Sequence, residues 1–314
     1  EEMSKEIVLA NPRGFCAGVD RAIEIVEKSL EKYDEPVFVR HHVVHNKKVV
    51  EDLERKGVKF VKEIDEIPDN AVAIFSAHGV SKTVEDEAKN RKFMYFDATC
   101  PLVTKVHLEV QRHARKWRDI ILIGHKGHPE VIGTLGRHPV NSDTTINLVE
   151  DYEDIEKLKI NSSDIAYVTQ TTLSVDETKG LIEALKIKYP QIIGPSADDI
   201  CYATQNRQDA VKQLSLECEI VLVIGSKTSS NSNRLKELAE KCGTKSFLID
   251  DKSDINIEEL KQTMSVGITA GASAPEEIVQ EVISFLYPLG YKTVRNLSEN
   301  NESMTFKLPK ELAD

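Results

Sequence analysis

The stretch GFCAGVDRAIEIV (14–26) follows the apolar run IVLA (7–10) and sets Cys16 where an amphipathic helix opens. The arrangement returns in ATCPLVTKVHLEV (98–110) around Cys100 and in DICYATQNRQDAV (199–211) around Cys201. A thiol at a helix N-terminus faces unsatisfied N–H groups and the positive end of the helix dipole. That setting favours thiolate over thiol, and with it metal ligation or redox chemistry.

Working outward, each cysteine is followed by a strand, a polar loop and a helix: VFVRHHVVHNKKVVEDLERKG (37–57), IILIGHKGHPEVIGTLGRH (120–138) and IVLVIGSKTSSNSNRLKELAEKCG (220–243). His45, His128 and Asn231 lie 29, 28 and 30 residues beyond their cysteines. A second unit follows in each third: AIFSAHGVSKTVEDEAK (73–89), IAYVTQTTLSVDETKGLIEALK (165–186) and SVGITAGASAPEEIVQEVISFL (265–286). There His78, Thr171 and Ser273 stand at offsets of 62, 71 and 72. Short β-rich runs alternating with helical ones predict βαβ units and parallel sheets, whose ligands gather at the carboxyl ends of the strands.

The chain therefore reads as three related α/β lobes, 18–100, 101–198 and 199–314, with 1–17 packing against the third. Packed about a pseudo-threefold axis with the strand ends inward, they make a trefoil in which three thiolates and six polar loops share one cavity. The length of 314 residues suits several cores of roughly 100 residues each. The segment 287–312 breaks the repeat and is expected to be a tail across the lobes, without chemistry of its own. Met3 is read as the native first residue.

A net charge of −11 with dispersed basic residues lacks the footprint of a nucleic-acid binder. No apolar run nears the roughly 20 residues a membrane helix needs, and the charged start is no signal peptide, so a cytoplasmic protein is expected. Five cysteines without a CxxC pair argue against a disulfide framework or a zinc ribbon. A buried cysteine is ordinarily a small hydrophobe, a reading that suits Cys218 and Cys242 but not three cysteines in register. Three thiolates suit either zinc with one open position or three corners of a 4Fe-4S cube with the fourth iron free.

The remaining loops supply His45, Asn46, His78, His128, Thr171, Thr172, Ser229, Ser230, Asn231, Ser232, Asn233 and Ser273. Imidazole, hydroxyl and amide donors beside helix N-termini suit a phosphate or diphosphate, and no nucleotide-binding glycine motif is present. Ser174 and Glu177 form a capping box, and Ser273 with Glu276 is a second candidate. The acidic run 149–159 is read as a solvated helix. Glu130 is the one carboxylate in these loops and so the natural proton carrier.

Taken together, GFCAGVDRAI (14–23), VHN (44–46), SAHGV (76–80), DATCPLV (97–103), GHPEV (127–131), QTTLS (170–174), ICYATQNRQ (200–208), SSNSNRL (229–235) and TAGASAPE (269–276) resemble the 4-hydroxy-3-methylbut-2-enyl diphosphate reductase family. The resemblance runs in order from about Ile7 to Glu277. It implies a trefoil around a 4Fe-4S cluster held by Cys16, Cys100 and Cys201, with an open apical iron. The implied reaction removes an allylic hydroxyl as water with two electrons and two protons, on the methylerythritol phosphate route to isoprenoids. By the same resemblance His45, His78, His128, Thr172, Ser229, Ser230, Asn231 and Ser273 hold the diphosphate, and Glu130 and Thr171 serve the hydroxyl end. A flavodoxin- or ferredoxin-type electron donor is implied as partner. The rival readings are a cluster-dependent hydro-lyase, which needs no electrons, and a non-enzymatic iron–sulfur or zinc diphosphate-binding redox sensor.

Overall fold

The computed structural model describes residues 4–91, 93–298 and 300–313; Met3 lies outside them. The chain opens with β1 (Lys5–Leu9) and α1 (Ala17–Lys32), then β2 (Val37–Arg40), α2 (Lys47–Arg55), β3 (Lys59–Val61), β4 (Val72–Phe75), α3 (Lys82–Arg91) and β5 (Met94–Asp97). The middle third carries α4 (Pro101–Arg115), β6 (Asp119–Ile123), α5 (Pro129–Leu135), β7 (Ile146–Val149), α6 (Tyr152–Lys157), β8 (Ile165–Thr169) and α7 (Val175–Lys188). The last third carries α8 (Tyr202–Glu217), β9 (Ile220–Ile224), α9 (Ser230–Lys241), β10 (Lys245–Ile249), α10 (Ile257–Leu260), β11 (Ser265–Ala270), α11 (Glu276–Leu286) and β12 (Tyr291–Asn296).

Among the described residues the strands form three sheets, in the orders β3-β2-β4-β5, β7-β6-β8 and β10-β9-β11-β1-β12, and every pairing is parallel. A parallel sheet needs helices on both faces, so its inner strands are apolar throughout. The largest sheet shows this. Ile7, Leu9, Ile220, Leu222 and Ile224 pack with Val279, Val282 and Leu286 of α11. The alternate residues Val8, Val221 and Val223 pack with Val211 and Leu214 of α8 and Leu235 of α9. Period-two alternation thus splits each strand between two cores. No helix among the described residues is long and apolar enough to cross a membrane.

By compactness the chain divides in two. One unit holds Glu1–Val19, His45–Glu51 and Tyr202–Thr305, hence the five-stranded sheet; the other holds Asp20–Val44, Asp52–Cys201 and Phe306–Asp314, hence both smaller sheets.

The tail departs from expectation. Residues 291–296 form β12, which pairs with β1 as the edge strand of the five-stranded sheet. Only Tyr291 of β12 is buried, so it lacks the apolar run by which the other strands are recognised. Further on, the Lys307 carbonyl accepts from Arg21 Nε at 2.8 Å, and the Glu311 carbonyl accepts from Lys32 Nζ.

In each sheet the strand order reverses between two central neighbours: β2 and β4, β6 and β8, β9 and β11. Chain crossovers leave on opposite sides there, which opens a crevice beyond the strand ends. The loops after these strands are the polar loops singled out from the sequence.

Candidate active site

In the unit with the smaller sheets, Glu130 lies in the first turn of α5, beyond the end of β6. Its side chain reaches the loop after β8. Oε1 accepts the Thr171 N–H at 2.7 Å, and Oε2 accepts the Thr171 hydroxyl proton at 2.9 Å. Glu130 is 3% exposed and Thr171 4%. Burial pushes the Glu130 carboxyl up to about 7, against the two Thr171 hydrogen bonds, which favour the charged form, and with a smaller push from Asp199. A buried acid divided between its two forms near neutrality, hydrogen-bonded to a hydroxyl, is equipped to hand on a proton.

His128 caps the same helix, its Nδ1 accepting the Glu130 N–H at 3.1 Å. An accepting Nδ1 places the proton of a neutral ring on Nε2. The His128 and His78 rings stand edge to face, 5.8 Å between centroids. Gln170, 1% exposed, ties the two loops: its Oε1 accepts the His125 N–H at 3.0 Å and its Nε2 donates to Thr172 Oγ1 at 3.2 Å. Gln170 lies in the QTTLS run (170–174), where nothing in the neighbouring sequence marks this bridging role.

In the other unit Asn231 stands where Glu130 stands in α5, second in its helix. Its Oδ1 accepts the Ala272 N–H at 2.8 Å. Nδ2 is buried with no partner among the described residues, a donor left for a ligand. Ser229 caps α9, accepting from the Ser232 N–H at 3.2 Å, and Ser230 begins that helix. Ser232 Oγ wedges between the loops: a Cβ on Gly225 or Gly271 would come within 2.1 or 2.0 Å of it. Ser273 donates to the His45 carbonyl at 3.1 Å, while α11 is capped at Pro275. Its candidate capping-box role is thereby overturned.

The three cysteines are half-buried, each one residue before its helix. Each N–H is fixed by the second loop: Cys16 to Ala272 O at 3.3 Å, Cys100 to Ala77 O at 3.0 Å, Cys201 to Thr171 O at 3.1 Å. This pattern refines the repeat. The residue after each accepting carbonyl is His78, Thr172 or Ser273, so Thr172 rather than Thr171 is the counterpart of the other two. The helix caps likewise align Asn46, His128 and Ser229, with Asn46 Oδ1 accepting the Val49 N–H at 3.1 Å.

Thiols at the first turn of a helix, held by their own amides, fit a thiolate-ligated cluster. Cys218 does not: burial pushes its thiol up to about 12. Cys242 is exposed. Among the described residues no three His, Cys, Asp or Glu side chains are grouped so as to share one metal ion. A cube takes each thiolate on a separate iron and so asks for wider spacing than a single ion. Taken separately, the Asn231 amide with its helix cap in one unit and the His128 imidazole in the other are donors of a kind that suits an anion.

A family model described as LytB protein matches residues 7–287. A 4-hydroxy-3-methylbut-2-enyl diphosphate reductase of Alcanivorax borkumensis is 58% identical over 308 residues, 98% of this chain and 99% of that protein. One of Methylococcus capsulatus is 55% identical, over 98% of each chain. The solved E-1-hydroxy-2-methyl-but-2-enyl-4-diphosphate reductase of Plasmodium falciparum superposes with a TM-score of 0.93 at 38% identity, covering 98% of this chain and 97% of that one. A solved (E)-4-hydroxy-3-methyl-but-2-enyl diphosphate reductase, described as the terminal enzyme of the non-mevalonate pathway, gives 0.65 at 31% identity over 90% and 99%.

Proposed function

We infer the chemistry from one premise: this chain belongs to the LytB protein family. It is a 4-hydroxy-3-methylbut-2-enyl diphosphate reductase, acting at the last step of the non-mevalonate route. The reaction takes up two electrons and two protons, cleaves the allylic C–O bond, and releases water with isopentenyl or dimethylallyl diphosphate. The observation that carries this reading is the buried Glu130–Thr171 pair, whose Thr171 carbonyl also anchors the Cys201 amide.

Cys16, Cys100 and Cys201 would hold a 4Fe-4S cluster, which when bound supplies a Lewis-acidic iron and passes on the electrons. The chain's own residues do the rest. Asn231 Nδ2, His128 Nε2, His45, His78, Ser229, Ser230, Thr172 and Ser273 bind and orient the diphosphate through donors that keep their positions throughout the reaction. The Thr171 hydroxyl lies between Glu130 and the substrate hydroxyl. A proton passes from Glu130 to Thr171 as Thr171 gives its own to the departing oxygen, so water rather than hydroxide leaves. The carbon left behind takes the second proton at either end of the allyl system, which yields the two products. The electrons come from a small flavodoxin- or ferredoxin-type protein, and the compartment is the cytoplasm.

The test is anaerobic turnover of the allylic diphosphate with reduced viologen as donor. Brown protein that oxidises the viologen in step with product supports the reading. Turnover without reductant would replace it by a hydro-lyase, and zinc-bound colourless protein without turnover by a binding module.

A further inference from the structure

The helix that follows each cysteine carries a basic residue about a turn and a half in: Arg21 five residues after Cys16, Lys105 five after Cys100, and Arg207 six after Cys201. Each reaches the loop that precedes the cysteine of a different helix. Arg21 Nη1 donates to the Thr99 carbonyl at 3.2 Å, the residue before Cys100. Lys105 Nζ donates to the Ala197 carbonyl at 2.9 Å and pairs with Asp199 at 3.3 Å, in the loop before Cys201. Arg207 donates to the Gly14 carbonyl from Nε at 3.0 Å and Nη2 at 2.7 Å, and to the Phe15 carbonyl at 3.2 Å, directly before Cys16.

We propose that Arg21, Lys105 and Arg207 are a cyclic set of positioning residues, each on the helix of one cysteine and holding the loop of the next. The proposal rests on the cluster reading above. The physical need is plain at Cys16. Gly14 has φ +71°, and a Cβ there would meet the Ala274 carbonyl at 3.1 Å. The loop's N–H groups bond on one side, Gly14 to Ala270 O at 2.9 Å and Cys16 to Ala272 O. Its carbonyls point the other way and need donors. Arg207, fully buried, supplies them in a fork, and Glu302 Oε1 offsets its charge at 2.8 Å. At Cys201, Asp199 lengthens the reach of Lys105: its buried carboxylate also accepts the Thr169 N–H at 2.9 Å, fixing the loop to the end of β8. At Cys100, Arg21 is held from behind by the Lys307 carbonyl. Each loop is thus clamped between the amide bond of its cysteine and a cation from the helix that follows a different cysteine.

This arrangement predicts an order that ordinary destabilisation does not. The full chain is purified anaerobically, as wild type and as Arg21→Gln, Lys105→Gln and Arg207→Gln, and alkylated with iodoacetamide before and after iron chelation. Peptide mass spectrometry reads each cysteine, with Cys242 as exposed reference. Arg21→Gln is expected to expose Cys100, Lys105→Gln Cys201, and Arg207→Gln Cys16, each roughly tenfold over the other two, the scale of one lost charge-assisted contact. In holoprotein the same cysteine is freed first as iron leaves. A variant that frees its own helix's cysteine, all three alike, or none overturns the proposal. Where a glutamine variant does not fold, Arg21→Lys, Lys105→Arg and Arg207→Lys read the same order. If wild-type chain carries no cluster, the function fails while the alkylation order still decides the positioning.

Discussion

Glu130→Gln separates the two consequences of burying that carboxyl. Raising it from an ordinary 4.5 to about 7 corresponds to about 3 kcal/mol, at about 1.36 kcal/mol per pH unit. The folded protein binds this proton more tightly than the unfolded chain, so the charged form is what the fold disfavours. Below pH 4.5 the penalty is absent; it grows as pH rises and is fully present above about 7. Glutamine keeps an acceptor for the Thr171 N–H and carries no titrating charge. Its stability relative to wild type is therefore expected to improve by about 3 kcal/mol between pH 4 and pH 8. Urea unfolding of both proteins across that range measures the difference directly. Parallel curves would show that Glu130 is not held protonated by burial, and the reasoning would fail.

The same substitution is expected to lower turnover by roughly 10²-fold or more, the usual scale for general acid catalysis. In wild type the protonated fraction falls above pH 7, so kcat is expected to decline about tenfold per pH unit beyond it. A variant that is more stable at pH 8, binds the diphosphate and turns over slowly is the combination expected. Wild-type kcat in Glu130→Gln would route the proton elsewhere.

Replacing Cys16, Cys100 or Cys201 by Ser is expected to abolish iron and sulfide content after anaerobic purification, whereas Cys218→Ser and Cys242→Ser retain it; equal loss in all five refutes the sorting. Asn231→Ala is expected to weaken product diphosphates as well as substrate, measured by calorimetry. It should also cost about 1–3 kcal/mol of stability, because the half-buried Ala272 N–H loses its acceptor. Gly271→Ala is expected to destabilise by about 1–3 kcal/mol through overpacking on Ser232 Oγ. Added Ser232→Ala, which removes that atom, should recover much of the loss in thermal unfolding, and additive losses would contradict the wedge.

The strand–loop–helix repeat was legible because parallel strands buried on both faces must be apolar throughout, and because polar runs between them have few uses other than caps and ligands. The apolar run at 7–10 is of this kind, and it runs through β1, which lies between β11 and β12. Other features leave no local trace. An exposed edge strand such as β12 has no apolar signature. The register of the loops was off by one residue at Thr172 and by one or two at Asn46 and Ser229, since loop length varies while the hydrogen bonds that define equivalence join distant segments. Arg207 and Glu302 are 95 residues apart, and nothing in either neighbourhood announces the other.

One repeated device explains how related lobes come to do different chemistry. At the second position of α5 and of α9, a side chain crosses the strand reversal to take a backbone N–H from the opposite loop: Glu130 from Thr171 and Asn231 from Ala272. The structural requirement is a single acceptor atom, and either residue meets it. What differs is the second atom of the group. In asparagine it is a neutral donor, buried and unspent, suited to an anion that stays charged through the reaction. In glutamate it is a second oxygen whose charge burial opposes, so the position acquires a proton to give away. On the proposed function, exchanging one terminal group, with the bridging bond intact, distinguishes the loop assigned to the anion from the loop assigned to the proton. The third copy has Lys48 there instead, paired with Glu277 at 3.4 Å, and its loop is pinned by the Ala77 N–H to the Val43 carbonyl at 3.1 Å.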